Sequence, residues 1–149
     1  MSDANIAEGG CLCGAIRYRI TGEPRVCTLC HCHSCRRASG GPTLAWLVLN
    51  AGDVQFTAGT PARFRSSDNV TRQFCPRCGT QLTYQSDDKP DSLDITTASL
   101  DQPNAFPPTR EIWLEHRISW ESANAAADHY ARSSAGATPL RKPDSRQIP

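Results

Sequence analysis

Apolar residues are scarce in this sequence, and no long apolar run occurs in it. Apolar side chains account for 38% of the 149 residues, which predicts a single domain with a modest core. No segment approaches the roughly 20 apolar residues that a membrane-spanning helix needs. The N-terminal segment Met1–Gly10 lacks the basic and apolar parts of a secretory signal. We therefore expect a cytoplasmic protein with no membrane partner.

An excess of charge of one sign is also lacking. The formal net charge is +1, and the basic residues form nothing longer than the pairs Arg36-Arg37 and Arg141-Lys142. Proteins that bind nucleic acids carry clustered Lys and Arg. The charge pattern therefore predicts no nucleic-acid partner, and nothing in the sequence indicates the oligomeric state.

Helical periodicity is weak, whereas short alternating or apolar segments typical of β-strands recur. The sequence predicts a mainly β fold in which Thr43–Leu49 and Val54–Thr57 pair as a hairpin across the turn at Asn50–Asp53. The Ala-rich stretch Glu121–Arg132 favours a short helix near the C-terminal end, with His129 in solvent. Further strands are expected at Ala15–Ile20, Arg72–Phe74, Thr80–Tyr84, Leu93–Ala98 and Arg110–Trp120.

Composition also divides the chain along its length. We expect an N-terminal extension at residues 1–8 and a folded domain at 9–132. Residues 133–149 are rich in Ser, Ala, Gly, Pro and Arg and almost devoid of apolar side chains, which predicts a flexible tail.

Cysteine, by contrast, is abundant, with eight residues in three clusters. Thiols stay reduced in the cytosol, so these cysteines are better read as metal ligands or catalytic groups than as disulfides. Cys75 and Cys78 have the spacing of a zinc knuckle, and Gly79 allows a sharp turn after them. The complementary pair is Cys11 and Cys13, whose side chains share a face in an extended segment. These four cysteines predict a structural zinc site; the alternative is a redox Cys-x-x-Cys pair.

A second ligand set, Cys30, Cys32 and Cys35, comes from one short segment. Three ligands with an open fourth position are typical of a catalytic zinc. Spacing alone leaves a closed site, completed by Cys27, equally possible.

Polar neighbours of this second set have candidate roles. His31 lies on the opposite strand face from the ligands, whereas His33 is a candidate fourth ligand or proton shuttle. A surface or hydrogen-bonding role is the alternative for each histidine, His116 included. Arg36 and Arg37 either clamp a substrate carboxylate or form a solvated pair.

An ordered series of these motifs resembles the glutathione-dependent formaldehyde-activating enzyme (GFA) family, whose domain also occurs in a centromere-associated protein. The matching segments run through nearly the whole expected domain: Gly10–Gly14, Cys30–Arg37, Ala51–Val54, Phe74–Thr80, Ser99–Asp101, Ile112–Trp113 and Trp120.

The resemblance implies a fold of the β-tent type, built from short antiparallel sheets. It also implies two zinc ions per chain. One is structural, at Cys11, Cys13, Cys75 and Cys78; the other is catalytic, at Cys30, Cys32 and Cys35, and leaves Cys27 as a nearby thiol.

The activity implied by the resemblance is carbon–sulfur bond formation, the lyase-class condensation of formaldehyde with glutathione to S-hydroxymethylglutathione. A small glutathione-like thiol is therefore the expected substrate, with Arg36 and Arg37 holding its carboxylate. Members of the family often carry His where this chain has Glu111, which affects the expected glutathione chemistry and not the metal sites. The rival functions are a non-catalytic zinc-stabilised binding module and a thiol-redox or metal-handling protein.

Overall fold

The computed structural model describes residues 6–140. These residues form two compact units, one made of residues 6–25 and 47–106 and the other of 26–46 and 107–140. The expected boundaries at residues 8 and 132 remain a prediction, and the part of the expected flexible tail at 141–149 lies outside the described residues. The expectation of a mainly β protein is confirmed.

One sheet of the first unit contains three antiparallel strands. β1 (Ala7–Gly10) pairs with β2 (Arg17–Ile20), which pairs with a later strand at Val54–Ala58. Two side chains of β2, Tyr18 and Ile20, are almost completely buried. Removing such side chains from water contributes about 1.5–3 kcal/mol each.

The expected hairpin between Thr43–Leu49 and Val54–Thr57 is wrong in its pairing. Both segments are strands, but the second pairs with β2. The intervening Ala51–Asp53 forms a 3₁₀ helix, and Asn50 Nδ2 donates to Asp53 Oδ2 at 2.9 Å. The carbonyl of Asp53 also accepts a hydrogen bond from the N–H of Thr21, which follows β2. This bond links the turn at Ala51–Asp53 to the end of β2. The strand that follows the turn therefore pairs with β2 and not with Thr43–Leu49.

In chain order the next strands are β3 (Val26–Cys30) in the second unit and β4 (Leu44–Asn50), whose residues 47–50 belong to the first unit. The strand at Val54–Ala58 is β5. The rest of the first unit is an antiparallel meander of four strands. The first, β6 (Ala62–Ser67), was not predicted from the sequence, whereas the other three lie at expected strands: β7 (Val70–Phe74), β8 (Gln81–Ser86) and β9 (Ser92–Thr96). Two further 3₁₀ helices of this unit lie at Thr97–Ser99 and Pro103–Ala105.

The second unit places two short parallel strands beside β3. β10 (Arg110–Ile112) pairs with β3 on one side and with β11 (Asp128–His129) on the other. The one α-helix among residues 6–140, α1 (His33–Ser39), follows β3 directly.

Two expectations for the second unit are wrong. The predicted strand Arg110–Trp120 ends at Ile112, because Trp113 has a left-handed backbone (φ 59°) and a 3₁₀ helix follows at Leu114–His116. The predicted helix Glu121–Arg132 is replaced by turns and β11. Here pairing with β10 and contacts to a buried carboxylate outweigh the helix propensity of alanine, which is a weak preference.

The carboxyl group of Asp94 on β9, in the first unit, is half-buried. Its cross-strand neighbour is Tyr84 on β8. Burial raises the pKa of Asp94 to about 7, and the positive charges of Lys89 and Arg25 offset only part of this. Because an unfolded Asp has a pKa of about 3.9, the folded state holds the proton more tightly, and the native protein loses stability as pH rises from about 4 to about 7.

Asp94→Asn should remove this pH dependence. The stability advantage of the variant over the parent should grow by about 2 kcal/mol between pH 5.5 and pH 8 and then level off. Urea unfolding at several pH values measures it, with the exposed neighbour Asp91→Asn as control. Parallel pH profiles for Asp94→Asn and the parent would contradict the assignment.

Candidate metal centres

A cluster of four thiols lies in the first unit. The Sγ atoms of Cys11, Cys13, Cys75 and Cys78 all lie within 4.8 Å of one another. The Cys13 sulfur is 3.6 Å from that of Cys11 and 3.8 Å from that of Cys75. A tetrahedral ion with metal–sulfur bonds of about 2.3 Å, as in zinc sites, holds its sulfurs about 3.8 Å apart. The donor set and its spacing therefore fit a four-coordinate metal ion.

Two tight turns bring these sulfurs together. At Cys75–Thr80, between β7 and β8, the Gly79 N–H donates to the Cys75 carbonyl at 2.8 Å, and Gly79 itself has φ 81°. A non-glycine residue there would strain the backbone. The other pair was expected on an extended segment, which is wrong: Gly14 N–H donates to the Cys11 carbonyl at 3.1 Å and closes a turn.

Hydrogen bonds to sulfur favour the thiolate form that a metal requires. The Ile16 N–H donates to Cys11 Sγ at 3.2 Å. The Thr80 hydroxyl lies 3.3 Å from Cys78 Sγ while accepting from the Leu12 N–H at 3.0 Å, so its own proton is directed to the sulfur. The hydroxyl and N–H of Thr80, with the backbone of Cys13, lower the pKa of Cys78 to about 5.

A second cluster, in the second unit, contains three thiols. The sulfurs of Cys30, Cys32 and Cys35 also lie within 4.8 Å of one another. Close approach to the other two thiols, together with burial, raises the pKa of Cys30 well above its usual range. Three thiols this close resist losing their protons together, because neighbouring thiolates repel one another. A bound cation would favour the thiolate forms instead.

The junction of β3 and α1 builds this cluster. Cys30 ends the strand, Cys32 is the N-cap of the helix, and Cys35 lies in its first turn. The Cys35 N–H donates to Cys32 Sγ at 3.3 Å, so the sulfur takes the capping role that Ser or Asp oxygens usually have. No helix was predicted here from the sequence. Gly40 ends the helix with φ 71°, a typical glycine stop signal, and this glycine could have indicated a helix before it.

Neither expected candidate completes this cluster. Cys27 and Cys30 are three residues apart on β3, so their side chains point to opposite faces of the strand. His33 instead stacks on the ring of His116 with centroids 4.2 Å apart, and Trp113 stacks on His116 in turn at 5.3 Å. Among the described residues, the group here that could hold a metal ion is therefore the set of three thiols.

The two arginines after Cys35 differ in their surroundings. Both lie on α1, but Arg36 is half-buried and Arg37 is exposed. The Nε atom of Arg36 is buried and has no hydrogen-bond partner. A buried guanidinium N–H that lacks an acceptor is suited to receive one from a ligand.

A buried polar group that the sequence analysis missed lies beside the second cluster. Glu111 and His31 are completely buried, and Glu111 Oε1 accepts from His31 Nε2 at 2.8 Å. His129, expected in solvent, is buried too; its Nε2 lies 3.4 Å from Glu111 Oε2. One Glu in a short strand does not by itself predict a buried carboxylate, so this Glu–His group was not predicted from the sequence.

Comparison with known proteins assigns this cysteine-rich β protein to a family. The chain belongs to the glutathione-dependent formaldehyde-activating enzyme family, whose model matches residues 6–116. It is 28% identical over 124 residues to a curated protein of Halomonas elongata named as a candidate enzyme of that kind, covering 77% of this chain and 79% of the relative. A crystal structure of a Rhodobacter sphaeroides protein shares the fold with a TM-score of 0.54 and 22% identity, over 63% of this chain and 87% of that one.

No helix within residues 6–140 has both the length and the apolar character needed to span a membrane.

Loss of one ligand should affect stability differently in the two clusters. The first joins Cys13 and Cys75, which are 62 residues apart, and a cross-link over a long loop removes much unfolded-chain entropy. The second is local. Cys78→Ser should therefore destabilise the zinc-loaded protein by about 3 kcal/mol or more, and Cys30→Ser by much less. Thermal melts check this; equal losses for both variants would contradict it.

Proposed function

We propose that this protein is a zinc-dependent enzyme of the carbon–sulfur lyase class that joins formaldehyde to glutathione or a related small thiol. The observation that carries the proposal is the open three-thiol cluster of Cys30, Cys32 and Cys35. Family membership and the name of the Halomonas elongata relative support the same activity.

Two zinc ions fit the chain, one in each cluster. In the first unit Cys11, Cys13, Cys75 and Cys78 would hold zinc in a structural role, because four sulfur ligands leave no position for substrate. In the second unit Cys30, Cys32 and Cys35 would hold it, and the ion would supply a Lewis acid for a thiolate sulfur or a carbonyl oxygen. These thiols must stay reduced to bind zinc, so a cytoplasmic location is part of the proposal.

The reaction needs a thiolate sulfur and an electrophilic carbon held close together. The sulfur attacks the formaldehyde carbon, a carbon–sulfur bond forms, and the electron pair of the carbonyl π bond moves to oxygen. That oxygen takes up a proton, equivalent to the one lost by the thiol, so that thiol and aldehyde give the S-hydroxymethyl product. Arg36 contributes by holding a substrate carboxylate, since its Nε–H is buried without an acceptor.

The rival function as a non-catalytic binding module needs a closed second cluster. Cys27 would have to supply the fourth sulfur, and it is not part of the group. The geometry therefore favours the enzyme over the binding module.

Purified protein should contain two zinc ions per chain by elemental analysis, and Cys27→Ser should leave that content unchanged. With ¹³C-formaldehyde and glutathione, NMR should show S-hydroxymethylglutathione formed faster than in buffer, and Cys30→Ser should abolish the acceleration. Loss of the second zinc in Cys27→Ser would show a closed site and replace the enzyme by the binding module. A correct zinc content without acceleration would reject the proposed substrates.

The two arginines provide a matched pair of variants. Arg36→Ala should raise the KM for glutathione by about tenfold, because the variant loses the binding free energy of one charge-assisted hydrogen bond. Arg37→Ala, at an exposed position on the same helix, should change it less than about twofold. A thiol without a carboxylate should show no difference between the variants, and a larger effect of Arg37→Ala would overturn the assignment.

A further inference from the structure

Glu111 is a buried carboxylate in a place where a charge is costly. Its side chain has no exposed surface, and its ion-pair neighbours among the described residues are two histidines, with no Lys or Arg. Buried carboxylates persist only where several donors satisfy their oxygens. Here the donors are His31 Nε2, at 2.8 Å from Oε1, and the backbone N–H of Asn124, which bonds to Oε2.

His31 connects this carboxylate to the second cysteine cluster. It lies in the chain between the candidate ligands Cys30 and Cys32. Its backbone N–H donates to the Ile112 carbonyl at 3.1 Å, and its Nε2 donates to Glu111. Strand β10 therefore holds the residue between the two ligands by its main chain and by its side chain.

The orientation of the His31 ring depends on Glu111. The ring is completely buried, and its other nitrogen, Nδ1, has no hydrogen-bond partner. His31 is not itself part of the metal-binding group. Within residues 6–140, the bond to Glu111 is thus the one hydrogen bond that fixes the ring.

Glu111 is in turn fixed from its far side. It is the register partner of His129 on the parallel strand β11. The Nε2 of His129 lies 2.7 Å from the Asn124 carbonyl, while the Asn124 N–H bonds to Glu111. The carboxylate is therefore held by both β11 and the segment that leads into it.

We propose that Glu111 is a positioning residue for the second metal centre: through His31 it fixes the peptide between Cys30 and Cys32 and so keeps the thiols in one arrangement. The inference rests on the proposed function only in taking that cluster as a zinc site. Residues that orient a metal site from outside its ligand set change metal affinity by about 10- to 100-fold when replaced. Because it is rigidly held, Glu111 should act on zinc retention without contacting substrate.

The test uses zinc-loaded protein and three variants: Glu111→Asp, His31→Gln and the double variant. Asp keeps the charge but is one methylene too short to reach His31. The rate of zinc transfer to a chromogenic chelator should show two phases, and the phase missing in Cys30→Ser belongs to the second cluster. That phase should accelerate about tenfold or more in each single variant, and the double variant should be no faster than the faster single one. Glu121→Asp, the same change in the same unit, should release zinc at the parent rate.

NMR of ¹⁵N-labelled protein adds a measurement that a change in overall stability alone would not affect. The His31 ring Nε2–H proton should be protected from exchange in the parent and exposed in Glu111→Asp, while the backbone amide signals away from the second cluster should stay unchanged. Release rates equal to the parent would overturn the proposal. So would additive effects of Glu111→Asp and His31→Gln, or equal acceleration of both phases, which would show a general loss of fold stability. None of these readouts uses formaldehyde or glutathione, so a failure of the proposed activity remains distinct.

Discussion

The close packing of cysteine sulfur atoms is the constraint on which this structure depends. In each cluster the thiols lie within 4.8 Å of one another, a spacing at which several thiolates repel strongly. Hydrogen bonding with the Cys32 and Cys35 thiols, together with burial, raises the pKa of Cys30. A divalent cation converts the repulsion between thiolates into attraction, so metal binding and folding are coupled. For a chain with only 38% apolar residues, metal cross-links at these clusters would add stability that a modest core does not supply.

The two clusters were predictable from sequence because a metal site depends on residue type and spacing. Cys75 and Cys78 lie on one tight turn, and the geometry of a tetrahedral ion then calls for a second pair, which the structure provides at Cys11 and Cys13. The local conformation at Cys11 was predicted wrongly as extended. The prediction of the cluster was nevertheless confirmed, because a turn and a strand can both bring two such sulfurs to one point.

Pairing partners were less predictable, since they depend on contacts between distant segments. β5 pairs with β2 and not with β4, although turn residues directly precede it. The stretch Glu121–Arg132 shows the same limit. Alanine favours a helix by fractions of a kcal/mol per residue, whereas leaving Glu111 without the Asn124 N–H would expose a buried charge to a larger penalty. The contact between Asn124 and Glu111 outweighs the local helix preference, and no sequence pattern near residue 124 predicts that contact.

The difference between a closed and an open cluster follows from where the ligands lie along the chain. In the first unit two separate turns each supply two sulfurs, so four candidate ligands meet, which is the number that a tetrahedral metal ion requires. In the second unit one strand end and one helix start supply three, and the alternation of side chains along β3 turns Cys27 away from Cys30. A local three-ligand site has few restraints of its own. The structure supplies them from β10, whose Ile112 carbonyl and Glu111 carboxylate hold the residue between two of the ligands. The three candidate ligands and the contacts that restrain them thus come from different parts of the second unit, and a metal site needs both to be preorganised.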